Sequence, residues 1–500
     1  MRCAGSDKLR VAQERCVARA ASYTAPTQRI TVQKAHDADG GELYKKSELH
    51  RQRIEARGLE KKVLVGAVSL GCCKNRVDTE ALLANVQAAG HGIQPDETLA
   101  QVVFLNTCGF LASARQEALE VLDELHACRP TVEKIIVTGC MAQRMPETLL
   151  AHPAVDGILG VGQYHRAAET IQRVYAGERV CQIGYAQPVC GPLPPRMRTT
   201  PHFAYLRVAD GCDNRCSYCA IPGIRGPYHS VPFEHIIEEA KGFLAQDVRE
   251  LVVVAQDTTR YGEDLYGHPR LAELLVTLAD LNPTVWVRFL YAYPEKITPA
   301  LLDAIESRPN ICRYLDVPIQ HSHDDILRAM NRRSTTADLE RMVALVRARL
   351  VAYTLRTTVI CGFPGESDVH HRHLLRFLKE NPFDCLGAFA YSREPGTPAH
   401  DMPDQVPEKK KQQRLDKIML RQQAVSKRWM DSFVGQTLEV LCESREDVEG
   451  GELYQGRTMG HAPDIDGLVF FSGGHAQPGE VVSVKITHAD TYDLIGRIVK

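Results

Sequence analysis

Cys212-Asp213-Asn214-Arg215-Cys216-Ser217-Tyr218-Cys219 is the stretch on which the reading of this chain turns. It directly follows a predicted strand over residues 203–209 and runs on into Ala220-Ile221-Pro222. Iron–sulfur clusters are ligated by cysteine thiolates in short spaced runs, and three protein thiolates leave one iron of a four-iron cubane open to a substrate. The alternative is a closed zinc site, which takes Cys-x-x-Cys pairs and four N/S ligands, with His202 or His229 as the fourth. The Cys-x-x-x-Cys-x-x-Cys spacing favours the cluster over zinc.

Outward from this loop the chain alternates. Apolar runs at 203–209, 251–255, 285–291, 314–319, 355–360 and 386–391 are separated by helical periodicity such as that of 233–245 and 271–281. Six β/α units predict a partial barrel over 202–433, ending in a charged helix over 409–430. A second alternation precedes it: apolar runs at 63–69, 102–106 and 134–138 with helices over 78–89 and 113–127 predict a parallel α/β domain over 61–178. Residues 179–201, with Pro188, Pro192, Pro194, Pro195 and Pro201, read as a linker. From 434 to 500 short β-rich runs and the Gly473-Gly474 turn predict a small closing β-barrel. Residues 1–60 are polar and read as a poorly ordered extension, with a surface helix over 48–62.

Composition sets the outer bounds. Five hundred residues exceed a single core, since such cores stop growing near about 250–300 residues. No apolar run approaches the roughly 18 residues that cross a bilayer, so a membrane protein is excluded. A net charge of −2 carries no whole-chain signature of nucleic-acid binding. Sixteen cysteines without a secretory leader point to a reducing, cytoplasmic setting, where clustered cysteines hold metal or do redox chemistry rather than form disulfides.

Three more cysteines stand close behind predicted strands of the first domain: Cys72 in SLGCCKN, Cys108 in NTCGF and Cys140 in VTGCMAQR. In a parallel sheet the strand C-termini converge on one edge, the usual ligand site, which predicts a second cluster there. The alternative is that each is a small buried hydrophobe. The remaining cysteines, Cys3, Cys128, Cys312 and Cys442 among them, show no ligand spacing and read as structural.

The loop at Cys212–Cys219, with Tyr218 just before its third cysteine, resembles the radical SAM superfamily. The resemblance implies a 4Fe-4S cluster whose open iron takes S-adenosylmethionine and a 5′-deoxyadenosyl radical for unactivated C–H bonds. With both cysteine sets present, residues 61–500 resemble the methylthiotransferase family, which joins an auxiliary-cluster domain, a radical SAM barrel and a TRAM β-barrel. That likeness assigns Cys72, Cys108 and Cys140 to the auxiliary cluster and Cys212, Cys216 and Cys219 to the radical one. One departure is Cys73, where the family usually has proline; Cys73 stands as a competing thiol.

Predicted barrel strands end in polar groups: Gln256-Asp257, Tyr291, Gln320-His321 and Gly362 of GFPGE. At the face where (β/α) barrels place their chemistry, Tyr218, Gln256 and Gln320 are candidates for the S-adenosylmethionine pocket, while GFPGE and His321 read as turn and structural histidine. The family splits between adenosine in tRNA and an aspartate of ribosomal protein uS12. The segments Tyr291-Ala292-Tyr293-Pro294, 255–262 and 492–496 resemble the ribosomal-protein branch. Charge argues the same way: residues 434–500 hold five basic residues against eleven acidic ones, net −6, which suits a basic protein partner and disfavours tRNA. The basic helix from Lys409 to Arg428 stands against this, as a solvated face or a contact to ribosomal RNA.

The expected protein is therefore an α/β enzyme with two 4Fe-4S clusters that uses S-adenosylmethionine as methyl donor and radical source, and places a methylthio group on the β-carbon of an aspartate in uS12. A flavodoxin or ferredoxin is the expected electron donor. A tRNA methylthiotransferase is the alternative, followed by an iron–sulfur electron-transfer protein.

Overall fold

The structure, a computed structural model, describes residues 30–31, 62–185, 193, 196–448 and 451–499. The expected helix over 48–62, apart from the non-helical Lys62, most of the extension, Cys3 and the prolines at 188, 192, 194 and 195 lie outside the described residues.

The first domain is a seven-stranded sheet. Strands β1 (Ile30–Thr31) and β3 (Gly92–Ile93) flank opposite ends of β2 (Leu64–Ser69), which is followed in order by β4 (Val102–Thr107), β5 (Lys134–Gly139), β6 (Gly157–Leu159) and β7 (Val180–Gln182). All pairs are parallel except β1 on β2. Every residue of β4 is buried because both faces are covered. Its odd-numbered Val103 and Leu105 meet Ala118, Leu122 and Leu125 of helix α2 (Ala112–Ala127), while Val102 and Phe104 meet Leu82, Leu83 and Val86 of helix α1 (Cys73–Ala88). Two sequence expectations shift here. Ile30–Thr31, in the stretch read as disordered, adds an edge strand, and β7 lies inside the stretch read as linker, where its apolar residues were too few to register as a strand.

The second domain follows the six-unit reading. Strand β8 (Phe203–Arg207) leads into a short ribbon of β9 (Ala209–Asp210) and β10 (His229–Ser230), and β8 then pairs with β11 (Glu250–Val254), which pairs with β12 (Trp286–Phe289). Single parallel bridges, Val287 to Ile311 and Gln320 to Val359, carry the arc on to β13 (Tyr314–Asp316), β14 (Thr354–Cys361) and β15 (Cys385–Ala390). All main pairings of the arc are parallel, with helices outside, including α3 (Leu271–Leu281), α4 (Thr336–Arg349), α5 (Asp368–Glu380) and α6 (Glu408–Asp431). Among the described residues β8 and β15 do not pair, so the barrel is open along one side.

Strands β16 (Thr437–Val448), β17 (Gly451–Arg457), β18 (Val469–Ser472), β19 (Val481–Ala489) and β20 (Leu494–Ile498) close into a third, small barrel in the order 16-17-18-20-19. The connection after β17 fills the N-terminal end of the large barrel. Ala462 and Leu441 pack with Phe203, Tyr205, Trp286 and Tyr314 inside its lumen. Asp466 accepts from Tyr314 Oη at 2.6 Å, and Arg457 meets Glu250 at 2.7 Å. Burial raises the Glu250 carboxyl, and the guanidiniums of Arg457 and Arg288 outweigh it, leaving the group below its ordinary value. Acids counted toward the −6 are therefore partly spent inward: Asp464 pairs with Arg76, Asp466 lies 3.7 Å from Arg356, and Glu443 pairs with Arg457.

Candidate active site

The Cys212–Cys219 loop leaves β9 and enters a one-turn helix, Ile221–Arg225. Neighbouring βα connections hold it. Ser217 donates through its backbone N–H to Met330 O at 3.0 Å and through Oγ to Ala329 O at 2.7 Å, and Asn331 Nδ2 donates to Arg215 O at 2.6 Å. Asn214 Nδ2 donates to Asp257 at 2.8 Å. Arg332 Nη1 reaches Cys216 Sγ at 3.9 Å, and its guanidinium lies 4.3 Å from the centre of the Tyr293 ring, whose Oη is 3.8 Å from the same sulfur.

The second set converges as well. Cys72 precedes α1, Cys108 follows β4, and Cys140 opens the short helix Cys140–Arg144 after β5. Asn75 ties the three loops together. Its Nδ2 donates to Leu70 O at 2.9 Å and Thr107 O at 3.1 Å, and its Oδ1 faces Cys140 Sγ at 3.6 Å. Gly71, at φ +91°, lies so near that a side chain there would begin 2.8 Å from Cys108 Cβ. Gly139, also at φ +91°, has Asn106 Oδ1 where its Cβ would stand.

Burial pushes the thiols of Cys108 and Cys219 up to about 12 and those of Cys140 and Cys212 up to about 11. Unligated, these sulfurs keep their protons at neutral pH, and iron has to displace them on binding. Among the described residues neither trio gathers its sulfurs within 4.8 Å, the span of ligands to one ion. A multinuclear cluster accommodates wider spacing. Among the described residues neither His202, whose carbonyl accepts from the Arg249 and Glu250 amides at the far end of β8, nor His229, whose Nδ1 faces Pro227 O at 3.2 Å, falls with these cysteines in a group compact enough for one ion.

Arg225, at the end of the helix that follows Cys219, joins the two sets. It meets both carboxylate oxygens of Asp210 at 3.1 and 3.2 Å, Asp78 at 2.7 Å, Asn75 Oδ1 at 3.1 Å and Cys140 Sγ at 3.8 Å. Arg207 also pairs with Asp78 and Asp210, so the buried quartet is neutral. Tyr291 and Tyr293 form a second link, with Tyr291 Oη 3.5 Å from Cys73 Sγ and Tyr293 beside Cys216. Cys73, expected as a competing thiol, faces this tyrosine. A third link spans the open side of the barrel: Glu394, after β15, pairs with Arg115 and with Arg144 at 2.9 Å and accepts from Ala112 N at 2.9 Å.

Of the pocket candidates, Tyr218 lies beside Cys216 and packs against Met330, Phe363 and Tyr391. Gln256 Nε2 donates to Asp210 at 2.8 Å, whereas the amide oxygens of Gln256 and Gln320 are buried without a partner. Gln320 and Tyr291 both hold positive φ, 68° and 65°, at strand exits, the kind of backbone strain that collects at functional sites. GFPGE is structural: Glu366 caps the Gly362 and Phe363 amides and pairs with Arg414 at 3.2 Å. His321 is fully buried; its Nδ1 accepts from His323 N at 3.0 Å, but its Nε2 has no partner. Sequence reasoning missed Arg225, Asp78, Arg207, Glu394 and Arg332. For Asp78, Arg207 and Arg225 the only signal is an acid or arginine within a few residues of a ligand loop, and Arg332 and Glu394, distant in the chain from every ligand cysteine, carry none.

Three family models match in succession: the uncharacterized protein family UPF0004 over residues 64–160, the radical SAM superfamily over 206–378 and the TRAM domain over 434–499. A relative from Microcystis aeruginosa, ribosomal protein uS12 methylthiotransferase RimO, is 45% identical over 434 residues, 86% of this chain and 98% of its own. The chain belongs to the RimO family of methylthiotransferases. A second RimO, from Pelotomaculum thermopropionicum, is 43% identical over 87% of this chain and 99% of its own length. Among solved structures, the radical S-adenosylmethionine methyltransferase TsrM from Kitasatospora setae, with cobalamin and a [4Fe-4S] cluster bound, superposes with a TM-score of 0.51 at 15% identity, covering 68% of this chain and 77% of its own. That likeness extends to the fold. The RimO relatives span nearly their whole lengths here, so all three domains belong to the family's plan.

Proposed function

We propose that this chain transfers a methylthio group to the β-carbon of an aspartate in ribosomal protein uS12, with Cys72, Cys108 and Cys140 holding the auxiliary 4Fe-4S cluster and Cys212, Cys216 and Cys219 the radical one. The observation that carries the reading is the meeting of the two cysteine trios across Arg225, which touches Cys140 and, through Asp210, the start of the radical loop. The donor set fits: each trio offers three thiols spaced too widely for one ion. The unpartnered oxygens of Gln256 and Gln320 suit an amine or hydroxyl donor such as S-adenosylmethionine carries. When bound, the clusters and S-adenosylmethionine supply the methyl group, the sulfur and the hydrogen-abstracting radical.

The chain's own part is orientation and charge. Arg332 and Tyr293 stand against Cys216 and fix one flank of the radical loop, while Asn214 and Asp257 fix the other. Arg225 and Arg207 balance Asp78 and Asp210, so no net charge is buried between the two loops. The Glu394 clamp ties the first domain to the barrel at the exit of β15. A flavodoxin or ferredoxin serves as electron donor in this reading. Among the described residues no helix is long and apolar enough to cross a membrane.

The test is the mass of uS12 peptides from cells with and without the gene, with tRNA nucleosides from the same cultures. A methylthio increment on one aspartate that vanishes with the gene is the expected result. Unchanged uS12 together with loss of a methylthio-adenosine would move the enzyme to the tRNA branch.

A further inference from the structure

The loops leaving β13 and β14 carry a group of imidazoles that the cysteine chemistry does not use. His323 caps the helix Asp324–Ala329, and His370 stands in the first turn of α5. Distant in the chain, their rings meet at 4.4 Å, and His373, one turn further along α5, lies 5.0 Å from His323. One ligand atom each from His323, His370 and Asp325 falls within a mutual distance of 4.8 Å. Among the described residues this is the group of three that is compact enough for a single ion.

The donors are in a form that can ligate. The Nδ1 atoms of His323 and His370 accept backbone N–H groups of Asp325 and Ser367 at 3.2 and 3.1 Å, which places each ring's proton on Nε2 and its lone pair on Nδ1, where the amide engages it. Coordination through Nδ1 trades two amide hydrogen bonds for two metal bonds and requires no proton to leave. Asp325 is exposed and supplies a carboxylate shared with Arg328 at 3.0 Å, so solvent can complete the coordination shell.

We propose that His323, His370 and Asp325 form a surface site for one divalent first-row transition ion, of the zinc or nickel class. Two imidazoles and a carboxylate suit such borderline ions, whereas calcium and magnesium prefer all-oxygen shells. The ion would staple the connection after β13, which includes Gln320, to the first turn of α5 behind the GFPGE turn, and so stiffen the rim beside that pocket candidate.

The experiment is an anaerobic titration of Ni²⁺ into the holoenzyme with both clusters in place. Saturable binding of one ion per chain is expected. His323→Asn and His370→Asn should each weaken it at least about tenfold, a loss that even changes to the partners of metal ligands produce. Iron and sulfide content should stay at the wild-type level, which separates this site from the cluster thiols. Asp325→Asn, on an exposed side chain, provides a variant that leaves packing alone, and His229→Asn is the control. As a second readout, Zn²⁺ should raise the Tm of the wild type and leave the His323→Asn/His370→Asn double variant unmoved. Undiminished Ni²⁺ affinity in that double variant, or no saturable binding by the wild type, would overturn the assignment.

Discussion

Replacing Arg225 by methionine keeps most of the side chain's bulk and removes a cation that touches both halves of the site. Arg207 remains on Asp78 and Asp210, so the buried quartet passes from neutral to one surplus negative charge. Removing one partner from a buried ion pair costs about 3–5 kcal/mol, and that is the stability loss expected. The redox effect has its own magnitude. A unit charge 3.8 Å from Cys140 Sγ, at an effective dielectric near 20, is worth roughly 4 kcal/mol. Spread over a cluster the effect is smaller, and at about 59 mV per tenfold for a one-electron couple it lowers the auxiliary midpoint by on the order of 100 mV. The assay is a spectroscopic redox titration in a Cys212→Ala background, where the auxiliary cluster alone reports, beside thermal melts. Arg225→Lys should recover much of the potential but less of the stability, because it lacks the planar fork. A methionine variant with wild-type potential and wild-type Tm would refute the reasoning, since it would mean the quartet does not need its fourth charge.

Cys216→Ala should abolish formation of 5′-deoxyadenosine, whereas Cys108→Ala should keep that product and lose methylthiolated peptide; chromatography of both products from single reactions distinguishes the two. Gly139→Ala drives a methyl group into Asn106 Oδ1 at a backbone φ that costs about 1–3 kcal/mol for a non-glycine residue, so the iron content should fall by about half with S-adenosylmethionine cleavage retained. Burial pushes the Asp384 carboxyl up to about 6, above its ordinary 3.8, so the folded state binds the extra proton and this group's contribution to stability fades as pH rises from about 4 to about 6. Asp384→Asn keeps the acceptor for Leu355 N–H and should stabilise the protein by about 2 kcal/mol at pH 7.5 but not at pH 4, as read from denaturation midpoints.

The strands were legible because burial on both faces leaves an unbroken apolar record. Val102–Thr107 and Glu250–Val254 are buried throughout, and the barrel strands fall where alternation with helices places them. The cysteines were legible because ligand spacing survives in one dimension. The groups that join domains were not. Arg225, Asp78 and Glu394 are polar residues on surfaces that become interior only when the first domain docks, and local periodicity holds no trace of that event. The short strands fail for another reason: Ile30–Thr31 and Val180–Gln182 gain their partners from an existing sheet edge rather than from a pattern of their own. The charge count of the closing barrel was correct as arithmetic but incomplete as electrostatics, since Asp464 and Asp466 face Arg76 and Arg356 rather than an outside partner.

The connection after β17 gives the large barrel a stopper. With Arg457, Ala462 and Asp466 seated among Glu250, Trp286 and Tyr314, the lumen is closed at its floor. Reactants therefore come and go at the end that carries the cysteine loops or along the unpaired edge between β8 and β15, and not through the floor.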